Sequence, residues 1–243
     1  MSTLGDAWDY LTTATSWVGE NGMFGENFDG SLRFQRDSIL ALILEHLQMS
    51  AAAVGIAAAL ALPLGLWLGH LRKGGGATTV IANVSRAMPT LALLTLFAAS
   101  SIGFGNRAVI IAAAIFAFPP ILTNTYTGMA GVDADVREAA FGQGMTKLQV
   151  ALRVELPLAV ALIAAGLRTS VTQTVATVPL AALVGGGGLG VIIVTALATQ
   201  RYGQALAGAL IVATLALSVD WMLARLQRRV TPAPLRDRAR VAA

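Results

Sequence analysis

Five long runs without charge, or nearly so, set the architecture of this chain: residues 47–69, 87–106, 108–132, 156–200 (interrupted only by Arg168) and 202–219. A membrane-crossing helix needs roughly 20 mostly apolar residues, so the first three runs and the last each suit one crossing. The fourth is too long, because about 45 residues of continuous helix would measure roughly 68 Å. Pro179 and the run Gly185, Gly186, Gly187, Gly188 divide it into a helix of about 25 residues and a short apolar piece, residues 189–198. That piece cannot span alone. It is read as re-entrant or interfacial, unless it joins part of the last run as a sixth span. The pattern predicts an all-α membrane protein: a polytopic helical bundle of about five transmembrane helices, or six.

One polar interval interrupts the bundle. The stretch EAAFGQGMTKLQVALRVELP, residues 138–157, carries two helix-start signals, Asp135 with Glu138 and Thr146 with Gln149, separated by the breakers Gly142, Gln143 and Gly144. Two helices of under three turns each, set at an angle, are expected. Helices that short are marginal alone. Ala139, Ala140, Met145, Leu148 and Leu152 supply apolar faces, to rest either on the protein's own base or on a partner.

Composition agrees with a membrane chain and removes other classes. The chain is 56% hydrophobic and 12% charged, with mean hydropathy +0.69, more apolar side chain than a soluble core of this size can hide. There is no Cys, which excludes disulfides and thiolate metal sites. With five spans, Arg72, Lys73, Arg86, Arg137, Lys147, Arg153 and the cluster Arg225, Arg228, Arg229, Arg236, Arg238, Arg240 fall on one side, against Arg33, Arg36, Arg107 and Arg201 on the other. The positive-inside rule makes the first side cytoplasmic, with the N-terminus external and the C-terminus internal. The pI near 10.1 then reflects a basic inner rim beside anionic lipid rather than nucleic-acid binding. Residues 1–45 form an external segment that reads equally as an amphipathic, interfacial stretch (Trp8, Leu11, Trp17) or as a tail. It is no secretory signal, since the first 38 residues hold six acids against two arginines. Residues 46–226 form the membrane domain and 227–243 a basic cytoplasmic tail.

Candidate chemistry inside the spans is sparse. Gly185, Gly187 and Gly190 satisfy the spacing of a dinucleotide loop by letter, but no strand precedes them and no suitably placed acid follows. The glycines suit a gate or hinge, or plain tight packing. Arg168 within a span needs a partner or water, with Asp220, Asn124, Gln173 or the pathway itself as candidates. Thr169, Thr172 and Gln173 are candidate pathway lining, with interhelical hydrogen bonding as the competing use. His46 and His70, at opposite ends of the first span, form neither a metal pair nor a catalytic dyad and are expected at the interfaces.

The loop resembles the EAA loop of binding-protein-dependent ABC importers in Glu138, Ala139, Ala140, Gly144, then Val154, Leu156 and Pro157, with Glu155 in a free position. The segments ALPLGLWLGHLRK, SRAMPTLALLTLF, PPILTNTYTGM, ELPLAVALIAAGLRTSV and PLAALVGGGGLGVII look like permeases of the osmoprotectant branch, whose fold the methionine-importer permeases share. The resemblance implies a permease subunit that forms the translocation pathway for glycine betaine, choline, carnitine or proline betaine, in a prokaryotic cell membrane. Its implied partners are ABC ATPase subunits docked on the loop, an external substrate-binding protein and a second permease copy or paralogue. It also implies no cofactor on this chain and no hydrolysis by it, ATP and Mg being used by the ATPase. Methionine or another small solute is the alternative cargo. A secondary transporter is the alternative class.

Overall fold

The computed structural model describes residues 4–21, 25–26, 32–33 and 38–231. Expectations placed on Arg36, Arg236, Arg238 and Arg240 lie outside those residues, as do the side chains of Arg33 and Arg86. Among the described residues ten α-helices form: α1 (Leu4–Asn21), α2 (Ile39–Leu71), α3 (Gly75–Ala87), α4 (Thr90–Ala99), α5 (Asn106–Ala130), α6 (Ala134–Gly142), α7 (Lys147–Val150), α8 (Leu156–Thr177), α9 (Gly190–Ala198) and α10 (Tyr202–Val230). A two-residue antiparallel pairing of β1 (Gly25–Glu26) with β2 (Leu32–Arg33) is the only sheet among the described residues.

By length and hydropathy, α2, α5, the continuous stretch Lys147–Val184 and α10 can each cross a membrane, and a fifth crossing exists if α3 and α4 count as one broken span. The expected single helix over 87–106 is therefore corrected. Pro89 has no N–H to donate and forces the preceding residue out of the helical region, so Met88 is extended (φ −76°, ψ 126°) and α4 starts afresh at Thr90. Two other spans are longer than their apolar runs. α2 begins at Ile39 because Glu45 and His46, which unpaired would forbid it, have partners inside the protein. α10 continues past Asp220 to Val230 for the same reason. The sixth span does not form, since α9 has nine residues and ends at a turn where Gln200 takes φ 56°.

The residues cluster into two compact units: Met1–Ala53, Pro89–Ala113 and Thr174–Ser218 form the first; Val54–Met88, Ala114–Gln173 and Val219–Ala243 form the second. α2, α5, α8 and α10 each contribute to both. In the first unit Met49, Leu94, Ala98, Val109, Val178, Ala181 and Val184 make a core that encloses the turn after α8. In the second, Ala57, Ala61, Ala117, Ile121 and Leu122 pack α2 on α5, and Met129, Ala159 and Ile163 pack α5 on α8. Close approach there depends on missing side chains: a Cβ on Gly65 would sit 2.7 Å from Thr125 Cβ, and one on Gly166 2.7 Å from Asn124 Cβ. Between helices in lipid, dispersion at such short range replaces the hydrophobic drive that water would supply.

Candidate functional site

The polar interval folds as two elements, both in the second unit. α6 is capped by Asp133, whose carboxylate accepts from Asp135 N–H at 3.0 Å; the expected cap two residues further on, Asp135 with Glu138, does not form. Glu138 is exposed and caps nothing, because the chain enters the helix earlier than the Asp-x-x-Glu spacing suggests. α6 ends in a paired C-terminal cap: Gly144 N–H donates to Phe141 O (2.9 Å) and Met145 N–H to Ala140 O (3.2 Å), with Gly144 at φ 82°. Gly144 is needed for that dihedral alone, since a Cβ there would meet nothing within 4 Å. The capping box of Thr146 and Gln149 forms as the spacing predicts.

The second short helix is not separate, which corrects the expected pair. α7 runs through a π turn, Ala151–Glu155, straight into α8. Pro157 cannot donate to Arg153 O and its ring crowds that carbonyl, so the ladder widens there and Leu156 N–H bonds back to Ala151 O. Leu156 and Pro157 thus begin the membrane helix α8, where the fourth apolar run begins.

The wider turn puts Glu155 inside. Its side chain is fully buried, 2.7 Å from Arg137 Nε of α6 and 2.7 Å from His70 Nδ1 at the end of α2; Arg137 also donates to His70 O. Arg72 donates to Val132 O just before α6. Sequence reasoning placed Glu155 in a free position and both histidines at interfaces. His70 is instead part of this buried cluster, and His46 is fully buried with Nε2 2.9 Å from Val175 O. No spacing signal links Arg137 to Glu155, 18 residues apart with a cap and a π turn between them. On the outer surface of the same elements Leu148, Leu152, Val136 and Phe141 are exposed, as are Glu138 and Ala139, while Ala140 is buried.

Arg168 finds Asp220, as expected, through a two-pronged pair: Nε to Oδ1 at 2.8 Å and Nη2 to Oδ2 at 2.7 Å. Of the neighbouring polar residues, two are engaged in hydrogen bonds between helices. Ser170 is buried and donates to Ala117 O, and Thr172 donates to Asp220; Thr169 and Gln173 lie exposed on the outer face of α8.

The glycine run closes the first unit. After α8 a 3-10 segment, Val178–Val184, leads to Gly185 at φ 70° and Gly188 at φ 79°. A Cβ on Gly190 would strike the Pro179 carbonyl, and one on Gly187 would strike the Glu45 carboxylate. Glu45 accepts from Gly188 N–H (2.9 Å) and from Asn106 Nδ2 (2.8 Å), while Gly187 N–H donates to Asn106 Oδ1 (2.8 Å). Adjacent residues of α2 therefore hold both ends of this connection, His46 at Val175 and Glu45 at Gly188. Neither Glu45 nor Asn106 was singled out in the sequence. The available signal was an acid within an otherwise apolar helix. Among the described residues no group of three or more His, Asp or Glu could hold a metal.

The described architecture defines a class, a helical membrane protein with several spans and one structured polar loop. The chain belongs to the family of binding-protein-dependent transport system inner membrane components, whose model matches residues 61–232. It is 39% identical over 188 residues to a glycine betaine/carnitine/choline transport system permease protein of Bacillus subtilis, covering 77% of this chain and 86% of that one. It is 36% identical over 200 residues to a carnitine transport permease protein of Listeria monocytogenes, covering 82% and 91%. An osmoprotectant import permease protein of Salmonella typhimurium is 33% identical over 204 residues, covering 82% and 94%. Among solved structures, a chain of the MetNI methionine ABC transporter in inward-facing conformations shares the fold, with TM-score 0.68 and 21% identity over 78% of this chain and 94% of that one.

Proposed function

We propose that this chain is the membrane-spanning permease subunit of an ATP-driven importer of quaternary ammonium solutes such as glycine betaine, choline, carnitine or proline betaine. The observation that carries this reading is the pre-shaped corner at Gly144, which presents Leu148, Leu152 and Phe141 to solvent in a family of permeases. Apolar side chains held exposed on a braced element suit a protein partner. Here the partner is an ATPase subunit docked against Glu138, Ala139 and Gly144, with Ala140 packed beneath them. ATP and Mg belong to that subunit, and this chain binds no cofactor. The names of the relatives support the solute class; the likeness to a methionine transporter is one of fold alone and does not favour methionine.

The orientation places α6, α7 and the C-terminal end of α10 in the cytoplasm of a prokaryotic cell. Exposed Lys73, Lys147, Arg153, Arg228 and Arg229 form a basic inner rim, and Arg225 stacks 3.5 Å over Trp221, an aromatic suited to the headgroup layer. The glycine run faces outward, towards a substrate-binding protein, and serves as the outer gate. Thr169, Thr172 and Gln173 line the pathway that forms with a second permease chain. Uptake of labelled glycine betaine, choline and carnitine into proteoliposomes holding this chain with its cognate ATPase and binding protein tests the reading. ATP-dependent uptake of at least one is expected. Uptake driven by an ion gradient without ATP would overturn it in favour of a secondary transporter.

A further inference from the structure

We infer that the cavity beside the glycine run is a solute site for a zwitterion bearing a quaternary ammonium and a carboxylate. The inference rests on the import function proposed above. The cavity holds about 590 Å³ and is walled by Glu45, Phe104, Asn106, Arg107 and the backbone from Gly185 to Gly187, all within the first unit. Glu45 is held by neutral donors, Asn106 Nδ2 and Gly188 N–H, and has no cationic partner among the described residues. Arg107 shares the cavity wall, its side chain exposed at the mouth, and has no acidic partner among them either. Opposite charges in one cavity attract each other. These two nevertheless do not meet. The clamp from Asn106 and Gly188 fixes the carboxylate against the glycine run, so each charge is left for a different end of a small guest.

The surroundings also select the kind of cation. Phe104, 75% exposed, offers an aromatic ring on the cavity wall, and an aromatic face attracts a quaternary ammonium. A trimethylammonium group has no N–H and meets Glu45 through charge alone, leaving the two hydrogen bonds of the clamp in place. Glycine betaine therefore meets both charges, and choline, with no carboxylate, leaves Arg107 unmet.

Equilibrium binding of radiolabelled glycine betaine and choline to the full-length chain in lipid nanodiscs tests the site. Saturable betaine binding is expected, with choline weaker by about tenfold or more, the size of one lost charge-assisted contact. Arg107→Gln should weaken betaine binding by about tenfold and leave choline unchanged. Glu45→Gln should weaken both. Arg107→Gln decides the matter if Glu45→Gln fails to fold, because no described partner depends on the Arg107 side chain. Unaltered betaine affinity in Arg107→Gln, or no saturable betaine binding by the wild type, overturns the site. Reconstituted uptake separates this failure from that of the parent reading: import that continues with the site disproved leaves the permease function standing.

Discussion

At Gly144 and Gly142, two glycines of one motif separate into different roles. Gly142 lies inside α6 with open space where a Cβ would go, so Gly142→Ala should stabilise the chain slightly, by about 0.4–1 kcal/mol, through a less flexible unfolded state. Gly144 has the same open space but holds φ 82°, so Gly144→Ala should cost about 1–2 kcal/mol and loosen the corner. Solute-stimulated ATP hydrolysis with the cognate ATPase should fall for the second variant and not for the first. Equal behaviour would remove the dihedral argument. Glu155 poses a sharper case. Its carboxylate is fully buried against Arg137 and His70, and Arg137→Leu leaves it without its cation, at about 3–5 kcal/mol. A denaturation midpoint of purified Arg137→Leu close to that of the wild type would contradict the buried pair.

Among the elements, α2, α5 and α8 depend on small residues at defined heights. Gly166→Val should lower the folded yield in detergent, because its Cβ would land 2.7 Å from Asn124 Cβ and 2.9 Å from the Pro120 carbonyl. Gly55→Val on α2 should leave the yield unchanged, since nothing lies within 4 Å there. The sequence foretold these helices well, because a bilayer demands apolar runs of one length and charge must fall outside them. It also foretold the capping box at Thr146, the corner at Gly144 and the pair Arg168–Asp220, where short spacing or the cost of a charge in lipid leaves few solutions. It did not foretell what depends on distant contacts. Glu45 is tolerated in α2 only because Gly188 and Asn106 meet it, and His46 only because Val175 does. The break at Met88–Pro89 was legible from proline alone and was outweighed by the apolar run around it.

For the whole molecule, the orientation proposed from charge has a direct check, since no native cysteine interferes. Ser101→Cys, exposed in the turn before α5, should react with an impermeant maleimide in intact cells, and Lys147→Cys, exposed at the start of α7, only after permeabilisation. The reverse pattern would invert the protein in its membrane.

The π turn at Ala151–Glu155 bears on how force travels. Because α7 passes through it into α8 without a loop, and because Arg137 ties α6 to Glu155 and to the His70 carbonyl near the end of α2, the polar interval is not a tether with slack. A load applied to α6 therefore reaches two membrane helices at once, α2 through the His70 carbonyl and α8 through Glu155, with no loop between to take it up.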